Sequence, residues 1–362
     1  MTQLPLNPTR SVRAGVIGAG IGSVHIDALR RVGVEVVALG ASTEARAREH
    51  ADRLGVPHAC ASVEELLATG VDVVHVCTPN ALHAEQVMEV AAAGRHVISE
   101  KPLGVSVEEC ERMLEAVEQA RVLHAVAYTY RYYPMVQRMR QYIASGALGR
   151  IHLVRGAYLN DETLRIHSGH WMLDPAKVGP ALILADTGVH WWDLVEYVTG
   201  ARIREVMCVR QVVRDPAAAG EDSSAVLMRL DDDLVASAVV SGAAAGRDNT
   251  IELELIGTES CLRWDQEDPD TLWRFALGAP ASRIRRDGSE KVAAAIPTLR
   301  LPTGHIEGYL EAFRDLVAHI YSSLSRTGDE PAAYPTFDDG LRGVRVLDAL
   351  LRSSSTGQWA SV

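Results

Sequence analysis

Several kinds of segment are missing from this 362-residue sequence, and each absence removes a class of protein. No apolar stretch reaches membrane length, and Met1 to Arg13 carries no apolar signal core, so neither a spanning helix nor a secreted precursor is expected. Basic residues form no stripe, and 36 Lys and Arg face 47 Asp and Glu for a formal net charge of -11. A nucleic acid or an anionic membrane is therefore not expected as a partner, because either needs concentrated positive charge. The five cysteines (Cys60, Cys77, Cys110, Cys208, Cys261) form no CxxC pair and several lie in apolar, strand-like runs. That usage predicts reduced, buried thiols and a cytoplasmic location. Internal repeats and low-complexity tracts are absent as well. What is present is an ordinary globular composition, 47% hydrophobic and 23% charged, in a chain long enough for two cores.

The first third alternates strand and helix. Residues 12–17 (VRAGVI) read as a strand, Gly18 to Ser23 as a glycine turn, 24–32 as a helix and 34–39 as a second strand, which together make a βαβ unit. Ser62 with Glu65 and Ser106 with Glu109 have capping-box spacing, while Gly70 and Gly94 fall where helices should stop. Further strands fit 71–77, 96–99 and 122–127. Such alternation predicts an α/β domain, a doubly wound parallel sheet with its ligand crevice outside the carboxyl ends of the strands, where Gly20, Thr78 and Lys101 lie. After residue 130 strands come in succession, at 151–159, 203–213, 223–230, 234–241 and 250–257, with helices near 188–199, 306–325 and 338–352. That texture predicts an α+β domain with a large open, mostly antiparallel sheet. Residues 277–297 mix Gly, Pro and charge without periodicity and read as a surface loop.

Four segments carry chemistry. Gly18-Ala19-Gly20-Ile21-Gly22-Ser23 follows a strand and opens a helix, so its N–H groups and the helix dipole suit a pyrophosphate, although Ser23 occupies the third glycine position. The second strand runs into Ala41-Ser42 with no carboxylate at its tip and no arginine immediately beside Ser42. The choice between NAD(H) and NADP(H) is open on that pattern. In Cys77-Thr78-Pro79-Asn80-Ala81-Leu82-His83, Pro79 fixes a turn and Asn80 suits a helix cap. The functional alternative puts Thr78 and Asn80 against a cofactor, with His83 one turn inside the helix. Lys101, in Ser99-Glu100-Lys101-Pro102, follows a strand and precedes a proline, which favours an extended backbone and an amine pointing into the crevice. Asp186 and His190 are four apart at a helix start and face the same way; a cap and a core histidine are the structural alternative. His167 and His170 raise a zinc reading, but the spacing matches no zinc signature and no metal is expected.

These segments resemble the glucose-fructose oxidoreductase and inositol dehydrogenase (Gfo/Idh/MocA) family over nearly the whole length. The matching residues are the glycine turn with His25, VDVVHVCTPNALH, the EKP run, Tyr130-Arg131 followed by Pro134, and DTGVHWWDL. GRDNTIELELIGTESCLRWDQEDPDTL, TGHIEGYLEAF and FDDGLRGVRVLDALLRSSSTGQW are similar to a branch with sugar and glycoside dehydrogenases. The resemblance implies a Rossmann domain over 1–132, a substrate-binding and oligomerisation domain over 133–362, and a homodimer or homotetramer paired through the C-terminal sheet. It assigns Lys101, Asp186 and His190 to catalysis. It also implies cofactor contacts from Gly18, Gly20, Ile21, Gly22, Ser42, Thr78, Pro79, Asn80, His83, Glu100 and Lys101. Thr129 replaces a frequent Asn, and Gly179-Pro180-Ala181-Leu182 replaces a glycine-rich stretch.

The expected reaction is hydride transfer between nicotinamide and a secondary alcohol of a sugar, glycoside or cyclitol. His190 acts as base, Lys101 steadies the oxyanion and Asp186 holds a neighbouring hydroxyl. Tyr130, Arg131, Tyr158, Asn160, His170, Trp171 and His305 are the expected substrate contacts, aromatic faces suiting sugar C–H groups. Alternatives are a redox-neutral enzyme that cleaves glycosides by transient oxidation, a non-catalytic sugar or nucleotide sensor, and a metal-dependent hydrolase or aldolase.

Overall fold

The computed structural model describes residues 12–167, 169–214, 220–286, 300–302, 304–324 and 332–362. Contacts group the residues through Tyr128 with Phe313–Arg342 into one unit and Thr129–Ala312 with Gly343–Val362 into another.

In the first unit the short apolar runs become strands β1 (Arg13–Ile17), β2 (Glu35–Gly40), β3 (His58–Cys60), β4 (Val73–Val76), β5 (His96–Ser99) and β6 (His124–Val126). They are parallel and ordered β3-β2-β1-β4-β5-β6. The order turns back between β1 and β4, and a crevice opens outside the carboxyl ends at such a switch point. Connecting them are helices α1 (Gly22–Arg31), α2 (Glu44–Leu54), α3 (Val63–Ala68), α4 (His83–Ala92) and α5 (Val107–Ala120). The spacing-predicted caps form: Ser62 accepts from the Glu65 N–H and Ser106 from the Glu109 N–H. Gly70 and Gly94 follow the helix ends at φ +77° and +67°, a region open to glycine without strain. Every residue of β4 is buried, as a strand covered on both faces should be.

The second unit starts with α6 (Pro134–Ala144), β7 (Ile151–Leu159), α7 (Glu162–Arg165), α8 (Pro175–Val178) and α9 (Val189–Thr199). Eight more strands follow: β8 (Ile203–Gln211), β9 (Ser223–Leu230), β10 (Val235–Ser241), β11 (Thr250–Gly257), β12 (Ser260–Asp265), β13 (Thr271–Ala276), β14 (Ser282–Arg285) and β15 (Ala360–Ser361). With β7 they form a nine-stranded sheet ordered β14-β13-β12-β11-β7-β10-β9-β8-β15, antiparallel apart from the β7–β10 pair. Strand β14 falls inside the segment expected to be loop; it pairs with β13 from Thr271↔Arg285 to Arg274↔Ser282. Residues 287–297 of that expected loop lie outside the described residues.

One face of this sheet is core. Trp191 and Trp192 of α9 and Trp264 of β12 are essentially inaccessible. Gly156 of β7 makes room for this packing: a Cβ there would sit 1.9 Å from the Glu252 carbonyl oxygen and 2.7 Å from Trp191 Nε1. Trp191 Nε1 donates to that same oxygen at 3.0 Å. The other face leaves Val209, Leu227 and Val239 exposed, at 61%, 46% and 46%. Most of α10 (Tyr309–Ser323) belongs to the first unit, and most of α11 (Phe337–Thr356) to the second. In the first unit Phe313 lies against His25, Tyr321 against His75 and Phe337 against His124. These aromatic contacts are why residues near 313–342 group with the N-terminal sheet.

Candidate active site

Each glycine of the turn after β1 meets a different constraint. Gly18 has φ +97°, and a Cβ on it would lie 2.2 Å from the backbone oxygen of Cys77, so only glycine lets the turn pass the end of β4. A Cβ on Gly20 meets nothing within 4 Å. Gly22 begins α1 with its would-be Cβ 2.9 Å from Val16 Cγ1. Tight turn, open approach and close helix–strand packing are the three roles of a dinucleotide fingerprint. Here the packing role falls to Gly22 rather than to position 23, whose Ser23 hydroxyl donates to the Gly20 carbonyl at 2.9 Å. No acid lies in the first turn of α1. The open backbone at Gly20 and the unopposed helix N-terminus fit a pyrophosphate. Beyond β2, Ser42 accepts a hydrogen bond from Arg46 Nη1 at 3.4 Å, so a cation does stand beside the strand tip.

The loops after β4 and β5 are tied together by His83. Its Nε2 lies 2.8 Å from the Thr78 carbonyl oxygen and its Nδ1 3.0 Å from that of Pro102. Burial pushes its pKa below the usual 6.5, against the pull of those carbonyls, and the neutral ring can donate to only one of the two at a time. Thr78 donates to Gln86 Oε1 at 2.6 Å, and Asn80 begins a short 3-10 turn. At the end of β5, buried Glu100 meets His25 Nε2 at 2.9 Å and accepts the Lys101 N–H at 3.0 Å. Burial works to raise the Glu100 pKa, but the hydrogen bond and charge of His25, with Lys101, outweigh it and hold the carboxyl below its usual range. Burial first, and Glu100 second, push the Cys77 thiol well up, so it stays protonated.

In the second unit Asp186 lies in a π-helical turn, Leu184–Gly188, that runs directly into α9. Such turns carry i→i+5 bonds and recur at functional sites. The start of this one is held by buried Glu221, whose Oε1 accepts the N–H groups of Leu182 and Leu184 at 3.2 and 3.0 Å. Gly188 closes it: a Cβ would stand 2.6 Å from Trp192 Cζ3. His190 then emerges, largely buried, with the Tyr130 ring edge-on at 4.8 Å between centroids.

Tyr130, Tyr158 and Asn249 form a closed hydrogen-bonded ring. Tyr158 donates to Asn249 Oδ1 at 2.9 Å and Asn249 Nδ2 donates to the Tyr130 oxygen at 3.2 Å. The remaining contact, 3.0 Å between the two hydroxyls, is therefore made by the Tyr130 proton. Burial, and then the neighbouring Tyr130, push the Tyr158 pKa well above 10. The Tyr158 hydroxyl therefore keeps its proton near neutrality.

Of the expected substrate contacts, the structure brings Tyr130 and Tyr158 to His190. Arg131 is instead engaged with Asp193, Nε to Oδ2 at 2.9 Å, and lies over the Tyr197 ring. Asn160 is buried, with its side-chain oxygen accepting the Glu162 N–H at 3.2 Å. His170 accepts from the Met172 N–H beside a half-exposed Trp171. His305 is exposed on a segment that Arg286 anchors from below by bonds to the Leu301 and His305 carbonyls. Sequence reasoning missed Asn249 and Glu221. Asn249 sits in a segment already similar to the family, GRDNT, whereas nothing local distinguishes Glu221 from other acids. Among the described residues no group of three or more His, Cys, Asp or Glu side chains could hold a metal ion, and no helix is long and apolar enough to cross a membrane.

A parallel sheet with a glycine turn that opens its first helix, joined in one chain to a unit with a large open sheet and an aspartate on a π-turn running into the helix of His190, defines a dinucleotide-dependent oxidoreductase. Residues 12–128 match the oxidoreductase family with an NAD-binding Rossmann fold, and residues 136–263 match the GFO/IDH/MocA C-terminal domain. The chain belongs to the Gfo/Idh/MocA family. It is similar to an inositol dehydrogenase homologue from Azotobacter vinelandii crystallised with NAD+, at 27% identity and TM-score 0.91 over 100% of both chains. It is 28% identical over 325 residues to levoglucosan dehydrogenase of Pseudarthrobacter phenanthrenivorans, covering 81% of this chain and 80% of that one. A structure of levoglucosan dehydrogenase with NADH and levoglucosan aligns over 98% of this chain and 99% of its own, at 26% identity and TM-score 0.88.

Proposed function

We propose that this chain is an NAD(P)-dependent dehydrogenase that moves a hydride between nicotinamide and a secondary hydroxyl or keto carbon of a sugar, glycoside or cyclitol. The observation that carries the reading is the ring of Tyr130, Tyr158 and Asn249 set against His190. It gives an imidazole flanked by aromatic surface, which suits the C–H faces and hydroxyl edges of a carbohydrate. Likeness to levoglucosan dehydrogenase and to an inositol dehydrogenase homologue supports the same substrate class.

When bound, the nicotinamide supplies the hydride acceptor or donor. His190 takes the hydroxyl proton as general base, and Lys101, held at the end of β5 with its N–H on Glu100, stabilises the charge that develops on oxygen. Asp186 grips an adjacent hydroxyl. Gly18, Gly20, Ile21 and Gly22 hold the pyrophosphate, and Ser42 with Arg46 borders the adenosine ribose, where either NAD or NADP can be accommodated. A screen of sugars, glycosides and inositols with NAD and NADP, read by absorbance of the reduced ring, tests the reading. Lys101→Ala should abolish turnover and keep cofactor binding; unchanged turnover removes Lys101, and product formed without net reduced cofactor makes the enzyme redox-neutral.

Assembly through the open sheet face forms part of the same reading. Val209 and Val239 both pair with Ala225 across β9, and Leu227 lies one pleat along, so the exposed side chains form one apolar patch of the kind that marks an interface. A homodimer or homotetramer closed on that patch covers it.

A further inference from the structure

Four side chains of the first unit, three from α1, β4 and α10 and one from the residue that follows β5, meet in one unbroken hydrogen-bond line. The Tyr321 hydroxyl is 2.9 Å from His75 Nε2, and His75 Nδ1 is 2.7 Å from His25 Nδ1. His25 Nε2 is 2.9 Å from Glu100 Oε1, and the other carboxylate oxygen accepts the Lys101 N–H. All four side chains are buried. The hydride reaction gives His25, His75 and Tyr321 no task.

Proton counting gives the line two states. Glu100 is ionised, so His25 Nε2 donates to it. The Nδ1···Nδ1 contact holds a single proton, which belongs to one ring or the other. On His75, it leaves both rings neutral and makes Tyr321 the donor to His75 Nε2. On His25, it makes that ring a cation paired with Glu100, and His75 takes its other tautomer and donates to Tyr321. The states differ by one proton, and every bond of the line is made in both.

The surroundings keep the extra proton off His75. Burial first, then the charge of His25, hold the His75 pKa well below 6.5. Lys101 is the cation facing Glu100, and Asp72 the anion acting on Tyr321. Cys77 and His83, the other titratable groups near Glu100, are held uncharged by burial. Phe313 presents its ring to His25 at 4.6 Å.

His25 is also the fourth residue of α1, whose first residue Gly22 follows the open Gly20. The positive end of that helix opposes a second proton on His25, and an anion held at that end cancels the opposition. We infer that His25 and His75 form a one-proton switch linked to dinucleotide binding: a pyrophosphate at the α1 N-terminus draws a proton from solvent onto His25. Glu100 then changes from a carboxylate beside Lys101 into half of an ion pair. His25 and His75 are positioning residues, acting on Lys101 through Glu100. Only this last step rests on the function proposed above; the proton uptake needs cofactor binding alone.

Calorimetry with ADP-ribose tests the switch, because its pyrophosphate diester does not titrate near neutrality and it carries no nicotinamide. The whole protein is titrated in buffers of different ionisation enthalpy between about pH 5.5 and 8.5. The wild type should take up roughly half a proton or more at the maximum, and His25→Gln should still bind ADP-ribose with that uptake lost. Ring-nitrogen NMR of the wild type needs no variant: ADP-ribose should move His75 from its Nδ1–H to its Nε2–H tautomer. Absence of uptake in the wild type, equal uptake in His25→Gln, or an unmoved His75 tautomer overturns the switch. Uptake that persists in a Lys101→Ala variant with full turnover sinks the catalytic reading and leaves the switch standing.

Discussion

Gly18 and Gly20 are two residues apart, yet alanine at each should fail in a different way. At Gly18 the new methyl is 2.2 Å from a backbone oxygen and 2.6 Å from its carbon, on a residue at φ +97°. The left-handed backbone alone costs about 1–2 kcal/mol, and overpacking against atoms that cannot rotate away adds about 1–3 kcal/mol. A loss of about 3 kcal/mol or more is a large part of a domain's stability. At Gly20 the methyl meets nothing, so stability should stay within about 0.5 kcal/mol of wild type. What Gly20→Ala should lose is the close approach of phosphate oxygens to backbone N–H groups. One or two charge-assisted bonds, at about 1.5–3 kcal/mol each, correspond to a weakening of about tenfold to about ten-thousandfold. Urea denaturation followed by calorimetric titration of NAD+ separates the two. Wild-type affinity in Gly20→Ala, or equal destabilisation by both alanines, would refute the division of roles within the turn.

Asn249→Ala opens the hydrogen-bonded ring and leaves two buried tyrosine hydroxyls short of partners, so it should cost about 1–3 kcal/mol of stability and lower kcat/KM about tenfold on whichever sugar is turned over; an unaffected kcat/KM would detach the ring from the reaction. His75, His83 and His124 all have their pKa values held below 6.5 by burial. Below that pH the unfolded chain binds protons that the folded chain refuses, so stability should be flat at higher pH and fall as pH drops through 6.5, by up to about 1.4 kcal/mol per pH unit for each ring still neutral. Denaturation curves showing constant or rising stability between about pH 7 and 5 would contradict that sign. Leu227→Glu on the open sheet should yield monomers by light scattering with α/β circular dichroism intact, and an unchanged mass would place any interface elsewhere.

Much of the first unit was legible because its signals are local. Ser62 and Ser106 announce helix starts three residues ahead of their acids, and the glycine turn follows a strand within a βαβ unit. The exchange of roles between Gly22 and Ser23 was not legible, since it depends on Val16 lying 2.9 Å from a hypothetical Cβ. Strands β12 to β14 are hard to read because they are only six, six and four residues long, and their pairing is built outward in register from β11 rather than announced by composition. The motif around His83 gives its place one turn inside a helix but not its two carbonyl contacts, which span residues 78 and 102, a distance in sequence that no motif reports. Glu221 and the His25–His75 contact are likewise long-range, and a buried carboxylate or imidazole looks in sequence like any other.

The central claim is tested most directly by following the hydrogen itself. Levoglucosan and myo-inositol, each labelled with deuterium at one carbinol carbon at a time, are incubated with the protein and NAD+ or NADP+, and the cofactor is recovered for mass spectrometry. The account predicts that deuterium from a single secondary carbon of an accepted substrate appears on the nicotinamide ring, and that His190→Asn abolishes the transfer while cofactor still binds. Product formed with no label ever reaching the ring would contradict it.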